Sequence, residues 1–199
     1  MPLSAPAPRE HIHTRHVECR GYRRTDGLWD IEGHMTDVKT YGFKNEWRGE
    51  ITPGVPLHEM WIRVTVDDDL VIHEIEAVTD NSPFRMCPDI VGNFQRLKGL
   101  RMIGGFTNKM KAAVGGADGC THLVELMGPI ATTAFQTIFP LKKRREKTPD
   151  EIAAAAAEPP KRPPLLDSCH AFASDSPITR KSWPDFYTGP KDEAETPVS

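Results

Sequence analysis

Residues 57–77 read LHEMWIRVTVDDDLVIHEIEA, and this stretch decides the fold class. Two runs rich in β-branched residues flank three aspartates at 67–69. Apolar residues that alternate with polar ones on both sides of a short polar turn are typical of a β-hairpin. The stretch therefore predicts two adjacent antiparallel strands.

The apolar residues of this hairpin favour one register. A three-residue loop would set Ile62 against Glu74, whereas a two-residue loop sets Ile62 against Ile75. Because a one-residue slip turns every side chain to the opposite face, the second register is predicted. It directs His73 to the apolar face, and His58 shares that face at the far end of the sheet.

A further hairpin is predicted upstream, over residues 12–24 and 28–39. Asp26-Gly27 is a strong signal for a two-residue turn, and that turn sets Cys19 opposite His34 on the polar face. The first strand is polar on both faces, which predicts a position at the edge of the sheet.

Helices are predicted after the second hairpin. Pro88 suits a first helical position, and a short helix follows between glycine stops. Residues 121–138 carry a wide apolar surface, which indicates a helix that is buried on most sides. The stripe at its centre consists of Leu123, Met127, Ile130, Ala134 and Ile138.

These elements predict an α+β fold, in which two hairpins form one antiparallel sheet and the helices pack on one face. The core domain is expected over residues 10–140. A charged, Ala/Pro-rich linker with a short helix, which begins at the capping box of Thr148, is expected over 141–164. Residues 165–199 form an extended C-terminal tail whose aromatic residues suggest docking on the core or on a partner.

The composition excludes several classes of protein. The net charge of −3 over 199 residues offers no electrostatic basis for binding nucleic acid. No run of 18 apolar residues is present, so no membrane span is predicted, and the first ten residues lack the apolar core of a signal peptide. A cytoplasmic location follows as an expectation. The four cysteines should then be thiols, which suit metal binding or catalysis.

The candidate site consists of soft ligands in three separate segments. Cys87 and Cys120 each stand at a predicted helix N-terminus, where the helix dipole favours the thiolate. His122 lies two residues after Cys120, and Cys169-His170 lies in the tail. We expect these five residues to share a metal or thiol site. The sequence contains no C-x-x-C pair and no phosphate-binding glycine loop, so neither a zinc finger nor a nucleotide site is predicted.

The chain resembles an uncharacterised bacterial family with a domain of unknown function. The resemblance covers roughly residues 10–187 and rests on DGLWDIEGHMTDVK, on the 57–77 hairpin and on PFRMCPDIVGNFQRLKGLRMIGGF, with a tail like LLDSCHAF and WPDFY. Its most specific part is the Gly-Cys-Thr-His-Leu signature at 119–123 with the downstream Ala-Phe-Gln. The family implies a fold and no particular activity.

The order of elements also resembles the iron–sulfur cluster scaffold fold. In that family three cysteines meet at one end of an antiparallel sheet. The resemblance implies that Cys87 is the ligand after the hairpin and that Cys120 is the ligand at the last helix. The first cysteine of the scaffold has no match here, so Cys169, His122 or His58 would take its place.

Three functions are compatible with these features. The leading hypothesis is a metal-binding protein that holds zinc, iron or an iron–sulfur centre through Cys87, Cys120 and His122 with Cys169 or His170. The second is a small enzyme or enzyme subunit for acyl or thioester transfer, with Cys120 as nucleophile and His122 as base. The third is a metal-free accessory subunit of a larger complex. Contact with a protein partner or a second copy is expected through the tail.

Overall fold

The computed structural model of the protein describes residues 3–144, 148, 160 and 162–190. The chain divides into two compact units, Met1–Arg145 and Glu146–Ser199. The helix predicted after Thr148 lies outside the described residues. The finer division into core, linker and tail at residues 140 and 164 stays a prediction.

The first unit is built on a four-stranded antiparallel sheet with the strand order β1-β2-β5-β6, beside a small separate hairpin of β3 and β4. The α+β fold and the edge position of the first strand, both predicted from the sequence, are confirmed. The six strands are β1 (His13–Arg23), β2 (Trp29–Lys39), β3 (Phe43–Asn45), β4 (Gly49–Ile51), β5 (Pro56–Val66) and β6 (Ile72–Asn81).

The predicted register of the β1–β2 hairpin is wrong by one residue. Cys19 pairs with Gly33 rather than with His34. The backbone N–H of Arg24 donates to the carbonyl of Leu28 at 2.9 Å, so three residues rather than two form the loop. Gly27 has a φ of +88°, as expected for the left-handed position of a three-residue turn. The slip turns Cys19 toward the core, whereas His34 stays on the polar face of β2.

The β5–β6 register differs from the prediction by two residues, an even shift that keeps Ile62, Val64 and Ile75 on their predicted inner face. Ile62 pairs with Ala77 and Val64 with Ile75, so apolar residues still meet. The loop is longer because Leu70, buried and at φ +63°, belongs to the turn. A bulge follows, and His73 is exposed and bound to Asp67, which corrects its predicted inward position. The inward position predicted for His58 is confirmed.

The helices of the first unit pack on one face of the sheet, as predicted. A 3-10 helix (Cys87–Leu97) starts with Pro88 in its first turn, and α1 (Phe106–Val114) follows. The long α2 (Thr121–Arg144) contacts β1, β2 and β5. Every residue of its predicted central stripe is buried.

A close approach between α2 and the sheet depends on Gly33. A Cβ at this position would stand 2.7 Å from Ile130 Cδ1 and 3.2 Å from Leu126 Cδ1, inside normal contact distance. Glycine in the middle of β2 therefore allows the helix to lie directly on the strand.

The second unit contains a short helix, α3 (Pro177–Ser182), between two 3-10 turns. The Ser176 side chain caps α3 by accepting a hydrogen bond from the N–H of Thr179, which is fully buried. The rings of Phe172 and Trp183 lie 5.5 Å apart beside it. These contacts show that part of the predicted tail has an ordered local structure.

None of the described helices is both long enough and apolar enough to cross a membrane.

We predict that Leu126→Ala lowers the free energy of unfolding by about 2–5 kcal/mol, because the substitution leaves a cavity between α2 and the sheet. Only 1% of Leu126 is exposed. Leu141→Ala is the matched control, since Leu141 lies on the same helix with 44% of its surface exposed. Urea denaturation measures both. A loss below about 1 kcal/mol for Leu126→Ala would contradict the central position of the helix.

Candidate metal centre

Three potential metal ligands converge at one end of the sheet. Asp37 on β2 and His58 on β5 are cross-strand partners, and His122 reaches them from the first turn of α2. One ligand atom from each of the three lies within 4.8 Å of the other two. A carboxylate and two imidazoles from three different elements therefore form one cluster.

Asp37 carries the charge at the centre of this cluster. Only 2% of its side chain is exposed. The Arg15 guanidinium donates to both of its carboxylate oxygens, each at 2.8 Å. Nε2 of His13 and Nδ1 of His58 each lie 3.1 Å from a carboxylate oxygen, and the imidazoles donate because an ionised carboxylate only accepts. Burial alone would raise the pKa of Asp37, but Arg15, His13 and His58 together lower it to about 2.

Arg15 also connects the sheet to the helix. Its Nη1 donates to Oε2 of Glu125 on α2 at 2.6 Å. Hydrogen bonding to Asp37, and then to Glu125, raises the pKa of Arg15 above its ordinary value. The guanidinium therefore stays charged and fixes the position of Asp37 relative to α2.

The two imidazoles of the cluster favour their neutral form. The rings of His58 and His122 lie 3.8 Å apart, centroid to centroid. Burial lowers the pKa of both, and the charge of the other histidine adds to this effect at His58, as the charge of Arg15 does at His122. Neutral imidazole is the form that binds a metal ion.

Cys120 stands next to this cluster. It precedes α2, and its carbonyl accepts the first helical hydrogen bond, from the N–H of Val124 at 2.9 Å. Its Sγ lies 3.9 Å from Nδ1 of His122 and 3.9 Å from Sδ of Met60. A cavity of about 270 Å³ borders Cys120, with Lys111 and Thr121 in its lining.

Two of the three donor spacings are close to those around a metal ion, and the third is within 4.8 Å. A tetrahedral ion with nitrogen and oxygen ligands at about 2.0–2.1 Å holds those atoms about 3.3–3.4 Å apart. Oδ2 of Asp37 lies 3.1 Å from Nδ1 of His58 and 3.8 Å from Nε2 of His122, so the observed spacings bracket that value. An ion bound there would replace the proton that His58 shares with Asp37.

The structure brings together some of the residues predicted from the sequence. Cys120 and His122 are neighbours, as predicted. Cys87 opens the 3-10 helix after β6 and does not belong to the cluster of three ligands. Cys169 and His170 lie in the second unit. Metal binding by these three residues stays a prediction.

Two members of the cluster were missed as primary candidates. The sequence predicts His58 on the inner face but only as a substitute ligand, and it does not single out Asp37. The signal for Asp37 lies in the alternation along β2, where Ile31, Gly33 and Met35 point inward and Asp37 is next in that series. A carboxylate at an inward-facing position needs a cation or a hydrogen-bond donor as partner.

We predict that Arg15→Gln lowers the free energy of unfolding by about 1–3 kcal/mol, because it leaves the buried Asp37 carboxylate without its main partner. The 37% exposure of the Arg15 side chain favours the lower part of that range, since solvent screens the pair. The double variant Arg15→Gln/Asp37→Asn should recover part of the loss. Arg20→Gln, which breaks the exposed pair with Glu18 on the same strand, is the control. Equal losses at both arginines in urea denaturation would contradict the special role of Arg15.

Stability should also depend on pH through the two buried histidines. Their pKa values in the folded state lie below the ordinary 6.5, so the unfolded chain binds more protons once the pH falls below that value. In the presence of EDTA, we expect the free energy of unfolding to be at its full value above pH 6.5 and to decrease between pH 6.5 and 5.

The double variant His58→Gln/His122→Gln should flatten this dependence. His73→Gln is the control for the loss of a histidine outside the cluster. The slope measured by urea denaturation at several pH values checks this, and an unchanged slope in the double variant would refute it.

The chain matches one protein family, and the matched stretch contains the whole cluster. Residues 13–136 match the family described as protein of unknown function (DUF2889), and this stretch runs from β1 into α2. It includes every residue of the cluster. No curated protein and no solved structure matches the chain. The predicted resemblance to a family with a domain of unknown function is thereby confirmed, while the likeness to the iron–sulfur scaffold stays a prediction. Since the match covers more than half of its length, the chain belongs to the DUF2889 family.

Proposed function

We propose that the protein binds one divalent transition-metal ion, zinc or ferrous iron, through Asp37, His58 and His122. The observation that carries this proposal is the convergence of three donor side chains from β2, β5 and α2, with one ligand atom of each inside a 4.8 Å group. The lowered pKa values of His58 and His122 support the proposal. Both imidazoles favour the neutral form, so a metal ion does not have to displace the extra proton of a charged ring.

The chemistry of the donors narrows the choice of metal. Imidazole suits zinc and iron, whereas calcium and magnesium prefer sites made of oxygen alone. Iron–sulfur clusters need several thiolates, and the described cluster has only Cys120 beside it. A single ion therefore fits better than an iron–sulfur cluster. Two histidines and one carboxylate also leave coordination positions open for water or a substrate.

Cys120 acts in this proposal as a positioning residue rather than a ligand. Its Sγ lies beside Nδ1 of His122, while Nε2 of the same ring faces Asp37. A sulfur that accepts a hydrogen bond from Nδ1–H fixes the tautomer that presents the lone pair of Nε2 to the ion. Arg15 has the corresponding role at Asp37, where it binds both carboxylate oxygens and fixes their orientation.

The cellular compartment of the protein, the cytoplasm, is also a proposal. All four cysteines are unpaired thiols, which suits the reducing conditions of the cytoplasm. Contact with a protein partner or a second copy through the tail after residue 165 stays a prediction.

We predict that the chelator-treated protein binds one equivalent of zinc, or of ferrous iron under anaerobic conditions, by isothermal titration calorimetry. His58→Ala and His122→Ala should each remove a ligand and weaken binding by at least about 100-fold. Cys120→Ala should weaken it by only about 10–100-fold, as expected for a residue that orients a ligand.

His73→Ala is the matched control, because His73 lies on the same sheet but outside the cluster and should leave binding unchanged. Circular dichroism of each variant confirms that it is folded. Stoichiometric binding that survives in folded His58→Ala and His122→Ala would refute the proposed site, and binding lost in Cys87→Ala would favour the ligand set predicted from the sequence.

A second candidate function is thiol catalysis with Cys120 as nucleophile. The observation that favours it is a series of contacts from Cys120 Sγ to Nδ1 of His122 at 3.9 Å and from Nε2 of His122 to Oδ2 of Asp37 at 3.8 Å. A base next to the thiol and a carboxylate behind the base form the arrangement that activates cysteine nucleophiles. The cavity beside Cys120 would receive the electrophile.

Thiol catalysis predicts that iodoacetamide modifies Cys120 faster than Cys169, although Cys169 is the more exposed of the two. His122→Ala should slow the reaction at Cys120 and leave the reaction at Cys169 unchanged, because only the first thiol has a neighbouring base. Peptide mass spectrometry over a time course gives both rates. Faster modification of Cys169, with no effect of His122→Ala on Cys120, would exclude this second function.

A further inference from the structure

A groove of about 820 Å³ lies between α1 and α2. Its volume falls within the range of small-molecule binding sites, about 300–1,000 Å³. Most of its lining is apolar, and Lys111 and Glu125 are its charged residues. The apolar lining includes Met102, Ile103, Phe106, Met110, Val124 and Ala131.

The groove adjoins the smaller cavity that borders Cys120. Lys111 and Val124 line both the groove and the smaller cavity that borders Cys120. Glu125 lines the groove and binds Arg15, which in turn holds Asp37. A molecule in the groove therefore has one end near the cavity that borders Cys120.

The charges in the groove favour an anionic group at that end. The Glu125 carboxylate is already paired with Arg15 at 2.6 Å. Lys111 is exposed, and it forms no ion pair with any residue that the structure describes. Of the two charged residues that line the groove, Lys111 is therefore the one without a described ion-pair partner. Its ammonium group can pair with one carboxylate of a ligand.

We infer that the groove binds a small carboxylic acid with an apolar body, whose carboxylate pairs with Lys111 and whose body lies between α1 and α2 against Phe106. Binding itself requires only the groove. The role of this acid as a substrate of the metal centre rests on the proposed function.

Decanoate is the probe for this inference, with decanol and decylammonium as head-group controls. Isothermal titration calorimetry should show one site for decanoate, with at least tenfold weaker binding of the two controls. Lys111→Glu should weaken decanoate binding at least tenfold. Lys109→Glu is its matched control, because Lys109 lies on the same helix but does not line the groove, and it should leave binding unchanged.

Gly128→Leu tests the apolar part of the groove. Gly128 lines the groove, and a Cβ there would meet nothing within 4 Å, so a leucine can project into the space that the ligand needs. Since leucine favours a helix more than glycine does, the variant should remain folded. We expect loss of decanoate binding. Equal binding of all three probes, or binding that is unchanged in both Lys111→Glu and Gly128→Leu, would overturn the inference.

Zinc titrations of the same variants separate this inference from the proposed function. Lys111→Glu and Gly128→Leu should retain zinc, and His58→Ala should retain decanoate. Decanoate binding in a protein that binds neither zinc nor ferrous iron would support the groove and refute the metal site. Zinc binding in a protein that ignores decanoate would do the reverse.

Discussion

The first unit depends on the compensation of one buried negative charge. Asp37 has 2% of its side chain exposed, and its carboxylate stays ionised inside the fold. A buried charge is tolerated only when partners replace the hydration it has lost. Those partners are Arg15 and His13 on β1 and His58 on β5. The carboxylate thus joins three strands at one end of the sheet, and the end of α2 joins them through Glu125 and Arg15.

The same constraint explains why the β1–β2 hairpin adopts its register. A two-residue turn at Asp26-Gly27 would place Arg15 on the outer face and direct Glu18 and Arg20 toward α2. The observed three-residue turn instead places Arg15 opposite Asp37. Small or apolar side chains then lie on the face that α2 covers, with Cys19 and Gly21 among them. Packing under the helix and pairing of the buried carboxylate both favour this register, and together they outweigh the local preference of the Asp-Gly pair.

Part of the candidate site was predictable from local sequence pattern, and part depended on how distant strands pair. Cys120 and His122 are close in sequence at a helix start, so local pattern alone brings them together. The inner-face position of His58 followed from the alternation of side chains along β5. An error of two residues in the β5–β6 register does not change which face a side chain occupies. The alternation along β2 marks Asp37 as an inward position, but its partners became recognisable only when β1 and β5 were placed on either side of it. Cys87 shares the helix-start signal of Cys120, but its helix lies against β6, at the opposite side of the sheet from β1.

The sequence by itself determined the α+β class, the antiparallel hairpins, the buried stripe of α2 and the family to which the chain belongs. These features depend on the period of apolar residues and on local turn and helix signals, which are readable from neighbours along the chain. Only the tertiary structure decided the strand registers, which bring Asp37, His58 and His122 close together. The physical reason is that a register is chosen by the total fit of one surface against another. Contacts between residues far apart in sequence, such as the pairing of Arg15 with both Asp37 and Glu125, decide that fit.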